Sequence, residues 1–154
     1  MDASEKAKEI IEKIIYITIA TASKEAEPWN TPVLAAYDEQ YNFYWTSMAN
    51  TQHSQNIRVN PKVYLSIFDS TVKPGEAGGV YVKASAVELS DPAEIERAVA
   101  LVYKRKNKPI KMVEEFLGES PKRIYKAIPE KFWINLDVDI KNNPLDPKKE
   151  ITLP

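Results

Sequence analysis

The feature that most constrains this chain is a series of short runs rich in β-branched and aromatic residues. These are IYITIATAS (15–23), TPVLAAYD (31–38), FYWTS (43–47), VYLSIFD (63–69), VYVKASAVEL (80–89), RIYKAIP (123–129) and KFWINLDV (131–138). Each is bounded by polar or Pro/Gly-containing residues, as strands are. KEAEPWN (24–30), with Pro28, and Asp38–Asn42 are candidate turns between neighbouring strands. No regular alternation of strand and helix is present, so a parallel sheet is disfavoured. The pattern predicts an antiparallel, closed β-barrel of six or seven strands with three or four short peripheral helices. VYLSIFD is nearly continuous in apolar character and is expected to be buried on both faces.

The helices are equally legible. Ala3, Ala7, Ile10, Ile11 and Ile14 form one stripe at helical spacing, predicting an N-terminal helix within 1–14. Asn50 is a candidate N-cap for a short helix that Asn60-Pro61 would stop. Asp91-Pro92 opens a third helix reaching about Lys106, and Ile110–Leu117 reads as a shorter one ending at Gly118. The tail from 141 to 154 is polar and Pro-rich, and the whole of 1–154 reads as a single domain.

Composition then narrows the chemistry. The chain has no Cys and one His, which excludes disulfides and thiol catalysis and disfavours a zinc site. Twenty-one Lys and Arg against 22 Asp and Glu leave a net charge of −1, without the basic surplus of a nucleic-acid binder. No apolar stretch approaches the roughly 20 residues of a spanning helix, and the charged N-terminus does not resemble a signal peptide. No nucleic-acid or membrane partner is expected, and the expected location is the cytoplasm. With so few reactive side chains, any enzymatic chemistry would come from a bound cofactor.

One segment concentrates chemistry-bearing groups: YWTSMANTQHSQNIRVNP (44–61). A strand ends at Thr46-Ser47 and a helix starts near Thr51, where unpaired N–H groups and the helix dipole favour an anion. Thr46, Ser47, Thr51, Ser54 and His53 make that helix start a candidate phosphate site, although a capped surface helix with a solvated His accounts for the same residues. Trp29, Tyr37, Tyr44, Trp45, Tyr81, Tyr125, Phe132 and Trp133 could line a flat-ring pocket, or else pack the core. Asp137, Asp139 and Asp146 lack the spacing of a calcium loop and read as turn residues. KRKNK (104–108) reads as a solvated helix end, where cations suit the dipole.

The ordered set TPVLAAYD, FYWTS, NTQHSQNIRVNPKVYLSIFD, GGVYVKASAVELSD and PEKFW resembles the pyridoxamine 5'-phosphate oxidase-like, FMN-binding split-barrel family from about Ile15 to Trp133. The resemblance implies a split barrel holding FMN, with the phosphate at Thr46, Ser47, Thr51, Gln52 and His53. It also implies that Asn30, Thr31, Pro32 and Val33 run past the ring and ribityl chain, and that Trp45 flanks the cofactor. Trp133 corresponds to a residue reaching the flavin from the partner subunit of a homodimer.

The departures from the family pattern are equally specific. The true oxidases have basic residues at the positions of Gln52 and His53, an Arg at Asn30 and a substrate-phosphate Lys at Ala35. Lacking that Lys removes a charge-assisted contact of about 1.5–3 kcal/mol. The Arg-and-His pair that the oxidases use on the pyridoxal ring is not found near the C-terminus either. The expectation is therefore an FMN-dependent oxidoreductase that is not a true pyridoxamine 5'-phosphate oxidase, acting on an unidentified small molecule or electron donor. The alternatives are a deazaflavin-binding relative, a non-catalytic flavin-binding dimer, and an empty interaction domain. Haem is disfavoured because the one His is already committed.

Overall fold

The computed structural model describes residues 2–74, 78–135 and 148–154. Helix α1 (Ala3–Lys13) starts at a capping box in which Asp2 accepts from the Ser4 and Glu5 N–H groups and Glu5 reaches back to the Asp2 N–H. Such a cap contributes about 1 kcal/mol. Strands β1 (Tyr16–Ala22) and β2 (Pro28–Leu34) form a hairpin, and Ala35 leads directly into the two-residue strand β3 (Ala36–Tyr37). Strand β4 (Phe43–Met48), helix α2 (Gln52–Val59), strands β5 (Lys62–Phe68) and β6 (Gly79–Glu88), and helix α3 (Pro92–Arg105) follow. A 3-10 turn (Val113–Phe116) leads into strand β7 (Lys122–Asn135), and β8 (Lys148–Ile151) pairs with β7.

The sheet is antiparallel throughout, in the order β2-β1-β5-β6-β7-β4-β3. It curls into a half-barrel. Its interior is filled by the inward residues of each strand, among them Ile17, Ile19, Leu65, Ile67, Val80 and Val82, with Ala7 and Ile11 of α1 closing one end. A second cluster lies outside β4 and β7, where Ile95, Val99 and Val102 of α3 pack on Tyr44 and Ile124. β4 is thereby covered on both faces, and Phe43, Tyr44 and Trp45 are all buried although a strand alternates its side chains.

Several expectations are corrected. VYLSIFD is not buried on both faces: Val63, Leu65 and Ile67 point inward, while Phe68 is half exposed. RIYKAIP and the described part of the next run, KFWIN (131–135), form one 14-residue strand, Lys122–Asn135, rather than two. Pro129, which cannot donate to a ladder, sits where the pairing with β6 slips between Lys83 and Ala84, a bulge that leaves Glu130 without a partner in register. Residues 110–117 condense to the 3-10 turn, and the N-cap position of α2 is Thr51 rather than Asn50, with no side-chain capping bond. The polar tail returns to the sheet as β8, burying Ile151 and Leu153. Asp137, Asp139 and Asp146 lie outside the described residues.

Candidate functional site

The barrel fails to close at one seam. β3 pairs with β4 only at Ala36↔Tyr44 and Tyr37↔Phe43, whereas β2 pairs with β1 from Leu34↔Tyr16 onward. The chain thus leaves β4 at Ala35. Beyond that corner, Trp45, Thr46 and Ser47 keep β7 on one side and, among the described residues, have no strand on the other. The gap is a cleft of about 780 Å³. Pro32, Val33 and Leu34 form one wall, and Thr46, Ser47 and His53 form the other. Ile15, Tyr16, Tyr103 and four lysines, Lys106, Lys108, Lys111 and Lys122, complete the lining, which contains no carboxylate among the described residues.

At the β4 wall, three polar side chains converge. Ser47 Oγ lies 2.6 Å from His53 Nε2 and 3.4 Å from Thr51 Oγ1, and Thr51 Oγ1 lies 3.2 Å from the same nitrogen. His53 is buried, and that burial holds its pKa below the usual 6.5, leaving a neutral imidazole at pH 7. The Thr51 hydroxyl is directed at the Met48 carbonyl (3.0 Å) and Ser54 Oγ (2.8 Å), so no side chain caps α2. The first N–H groups of the helix are therefore available to an anion. Asn56 anchors the helix from below, donating to Thr21 Oγ1 at 2.9 Å.

The C-terminal end of α3 ties the β4 wall to the end of α1. Arg105 Nη2 donates to the carbonyls of Ile11 (2.7 Å), Glu12 (3.1 Å) and Ile14 (3.0 Å), and its guanidinium lies 5.1 Å from the centre of the Tyr37 ring. The next residue, Lys106, donates to Thr46 Oγ1 at 2.9 Å and sits 4.8 Å from the Tyr103 ring centre. Burial, with Lys108 and Lys122 nearby, pulls the Lys106 pKa below 10.5. Asn107, at φ 52, turns the chain out of the helix so that Lys108 also faces the cleft.

Pro32, Val33, Thr46, Ser47 and His53 thus lie together at the cleft, with Thr51 joined to them by hydrogen bonds. Asn30 and Thr31 lie farther along β2, opposite Ala20 and Ile19, and do not line it. Gln52 is exposed and donates to Asn56 Oδ1. The expectation for Trp45 is corrected: it is 0% exposed, stacked on Tyr125 at 5.7 Å in the barrel interior, because alternation along β4 turns it away from the seam. Trp133 stands on the outer face of β7 beside Tyr64 (6.1 Å between ring centres) and shares no surface with the cleft within one chain. Ala35, where the oxidases carry a Lys, is buried at the corner between β2 and β3.

The lysines are the cleft-lining residues that local sequence patterns do not reveal. KRKNK reads as a solvated helix end, yet Lys106 and Lys108 from it line the cleft. The available signal was Asn107, a residue type that readily takes the left-handed turn returning the chain toward the cleft.

Comparison with known proteins agrees with this architecture. A family model described as pyridoxamine 5'-phosphate oxidase matches residues 3–136. No curated protein matches the sequence. Among solved structures, a candidate 5-nitroimidazole antibiotic resistance protein from Bacteroides thetaiotaomicron is 11% identical, with a TM-score of 0.72 over 87% of this chain and 84% of that one. A heme binding protein from Mycobacterium smegmatis is 16% identical with a TM-score of 0.72, over 88% of this chain but only 54% of that longer protein. An F420 reductase is 20% identical with a TM-score of 0.61, over 82% of this chain and 94% of that one. At these identities the likeness is one of fold.

Proposed function

The chain belongs to the pyridoxamine 5'-phosphate oxidase family, and from that premise we propose that it holds FMN in the seam and acts as a flavin-dependent oxidoreductase on a small molecule. The observation that carries this reading is the convergence of Ser47, Thr51 and His53 on an uncapped helix start, with Lys106 on the same wall. A phosphate monoester fits such a set. Hydroxyl, imidazole and backbone donors supply directional hydrogen bonds, and Lys106 supplies charge. A dianion there also favours the protonated form of His53, opposing the effect of its burial. Pro32 and Val33 on the facing wall offer apolar contact for a ring, with water excluded on that side.

FMN, when bound, supplies one- and two-electron redox chemistry. The residues of the chain then have three tasks: to bind the phosphate, to orient the ring along β2, and to keep water from one ring face. None of them needs to act as nucleophile or general base. The substrate is proposed to differ from pyridoxamine 5'-phosphate, since Ala35 is buried where the oxidases carry a substrate-phosphate Lys. Trp133, Tyr64 and Tyr81 on the outer sheet face are proposed to meet a second copy in a homodimer.

Haem suits the cleft less well. The single His is buried with Nε2 already shared between Ser47 and Thr51. A deazaflavin carrying an anionic tail is favoured as a second reading by the lysines of the lining. The visible absorption spectrum of the purified protein tests the proposal, before and after FMN is added and the excess removed. Retained flavin that is released on denaturation supports it. A protein that stays colourless in both samples refutes it.

A further inference from the structure

The cleft holds more positive charge than one phosphate monoester requires. In a chain of net charge −1, four lysines face one opening with no carboxylate in the lining among the described residues. Their engagements differ. Lys106 is tied to Thr46, and Lys111 pairs with Glu115 at 3.4 Å. Lys108 and Lys122 make no ion pair among the described residues. They arrive from different elements, Lys108 from the turn after α3 and Lys122 from the first position of β7, opposite Met48 at the end of β4. Both lie near enough to Lys106 to disfavour its charge. Lys106, Lys108 and Lys122 gather like charges with no ion pair among the described residues, which is unfavourable, and a ligand that carries anionic groups relieves the repulsion.

We propose that the cleft has a second anion site, in which Lys108 and Lys122 hold a phosphate or carboxylate group distinct from the phosphate at Ser47, Thr51 and His53. The two sites differ in kind. The first is a set of directional, mostly neutral donors suited to one fixed phosphate. The second consists of flexible point charges that accept phosphate or carboxylate without a demanding geometry. The group comes either from a separate anionic substrate or electron donor, or from an anionic extension of the cofactor. This inference rests on reading the seam as a ligand site, but not on FMN being the cofactor.

Calorimetric titration with pyrophosphate tests it on three forms of the full chain: wild type, S47A/H53A and K108A/K122A. The expected result is that K108A/K122A binds pyrophosphate at least tenfold more weakly than wild type, while S47A/H53A retains most of the affinity. FMN affinity shows the opposite pattern, changing by no more than about threefold in K108A/K122A. Pyrophosphate that binds alongside saturating FMN places the second anion on a separate molecule. Pyrophosphate that persists with FMN but is displaced by a deazaflavin with an anionic tail places it on the cofactor. The proposal is overturned if K108A/K122A binds pyrophosphate as wild type does, or if FMN alone displaces it. Should FMN bind to none of the three, the flavin reading fails, and the contrast between the two variants with pyrophosphate alone still decides the second site.

Discussion

The two sides of the barrel solve opposite problems. On the closed side, β5, β6 and β7 are joined by long continuous ladders, and Leu65, Val80, Val82 and Ile134 are fully buried between them. On the open side, β2 and β4 diverge at Ala35, and polar groups occupy the gap: Ser47, Thr51, His53 and the lysines. The closed wall spends its inward side chains on apolar packing, and of the described β7 residues only Lys122, at the start of the strand, lines the cleft. At the seam, hydrogen-bonding capacity is unspent because no strand arrives to use it. A sheet that stops short of closure therefore leaves a cleft without any catalytic motif in the sequence, and the end of α3 ties the β4 wall of that cleft to the end of α1.

That contrast can be broken most strongly from the closed side. Leu65→Ala should cost about 2–5 kcal/mol, read as a lowered midpoint in denaturant, because the rigid ladder around it cannot collapse into the void. Flavin affinity of the folded fraction should not change. A loss below 1 kcal/mol would mean that the wall is less tightly packed than its burial implies.

Arg105 probes the strap between the end of α3 and the end of α1. Arg105→Ala removes three donations to the end of α1 and should cost about 1.5–3 kcal/mol, since charge-assisted bonds to carbonyls are lost. It should also weaken flavin binding, whereas Leu65→Ala should not. Equal behaviour of the two variants would dissolve the distinction between wall and strap.

At the seam itself, S47A/H53A should lower FMN affinity by about tenfold or more, about 1.4 kcal/mol, with a stability change within roughly 1 kcal/mol. Titration followed by flavin fluorescence, set beside a denaturation curve, reads both quantities. A variant that loses stability but keeps its affinity would move Ser47 and His53 into the structural class.

The smallest effect is on pH dependence. The folded-state pKa of His53 is lowered from 6.5, so the unfolded chain takes up a proton before the folded one does. Stability of the ligand-free protein should accordingly fall as pH drops below about 6.5 and level off once the folded-state pKa is passed. His53→Gln should flatten that window. With FMN bound the slope should shrink, because the phosphate favours the protonated imidazole.

Much of the fold was legible in local patterns. The stripe Ala3, Ala7, Ile10, Ile11, Ile14 became α1 with Ala7 and Ile11 buried, and Asp91-Pro92 opens α3 as cap and first residue. Segments whose conformation depends on partners were harder to read. Pro129 looks like a strand terminator until the slip at Lys83 and Ala84 in the neighbouring strand accommodates it. Ile110–Leu117 reads as a short helix, but Ile110 and Met112 are exposed, and the segment keeps only a single 3-10 turn, Val113–Phe116. In the candidate site, Ser47, Thr51 and His53 were readable because they are close in sequence and flank one helix start. Trp45 was misread as a cofactor neighbour because its orientation is set by the strands beside it.

The sequence by itself determined the class of fold, helices α1 and α3 and the gathering of Ser47, Thr51 and His53 at one helix start, all of which depend on residues within a turn or a strand of one another. Only the tertiary structure decided where the barrel stays open and which charges face the opening. Val33, Ser47, Lys108 and Lys122 come from separate elements, and they line one cleft only because strand pairing diverts β2 from β4 and α3 ends beside the gap. Long-range pairing is cooperative, set by register and packing rather than by local preference, so no window of sequence records it.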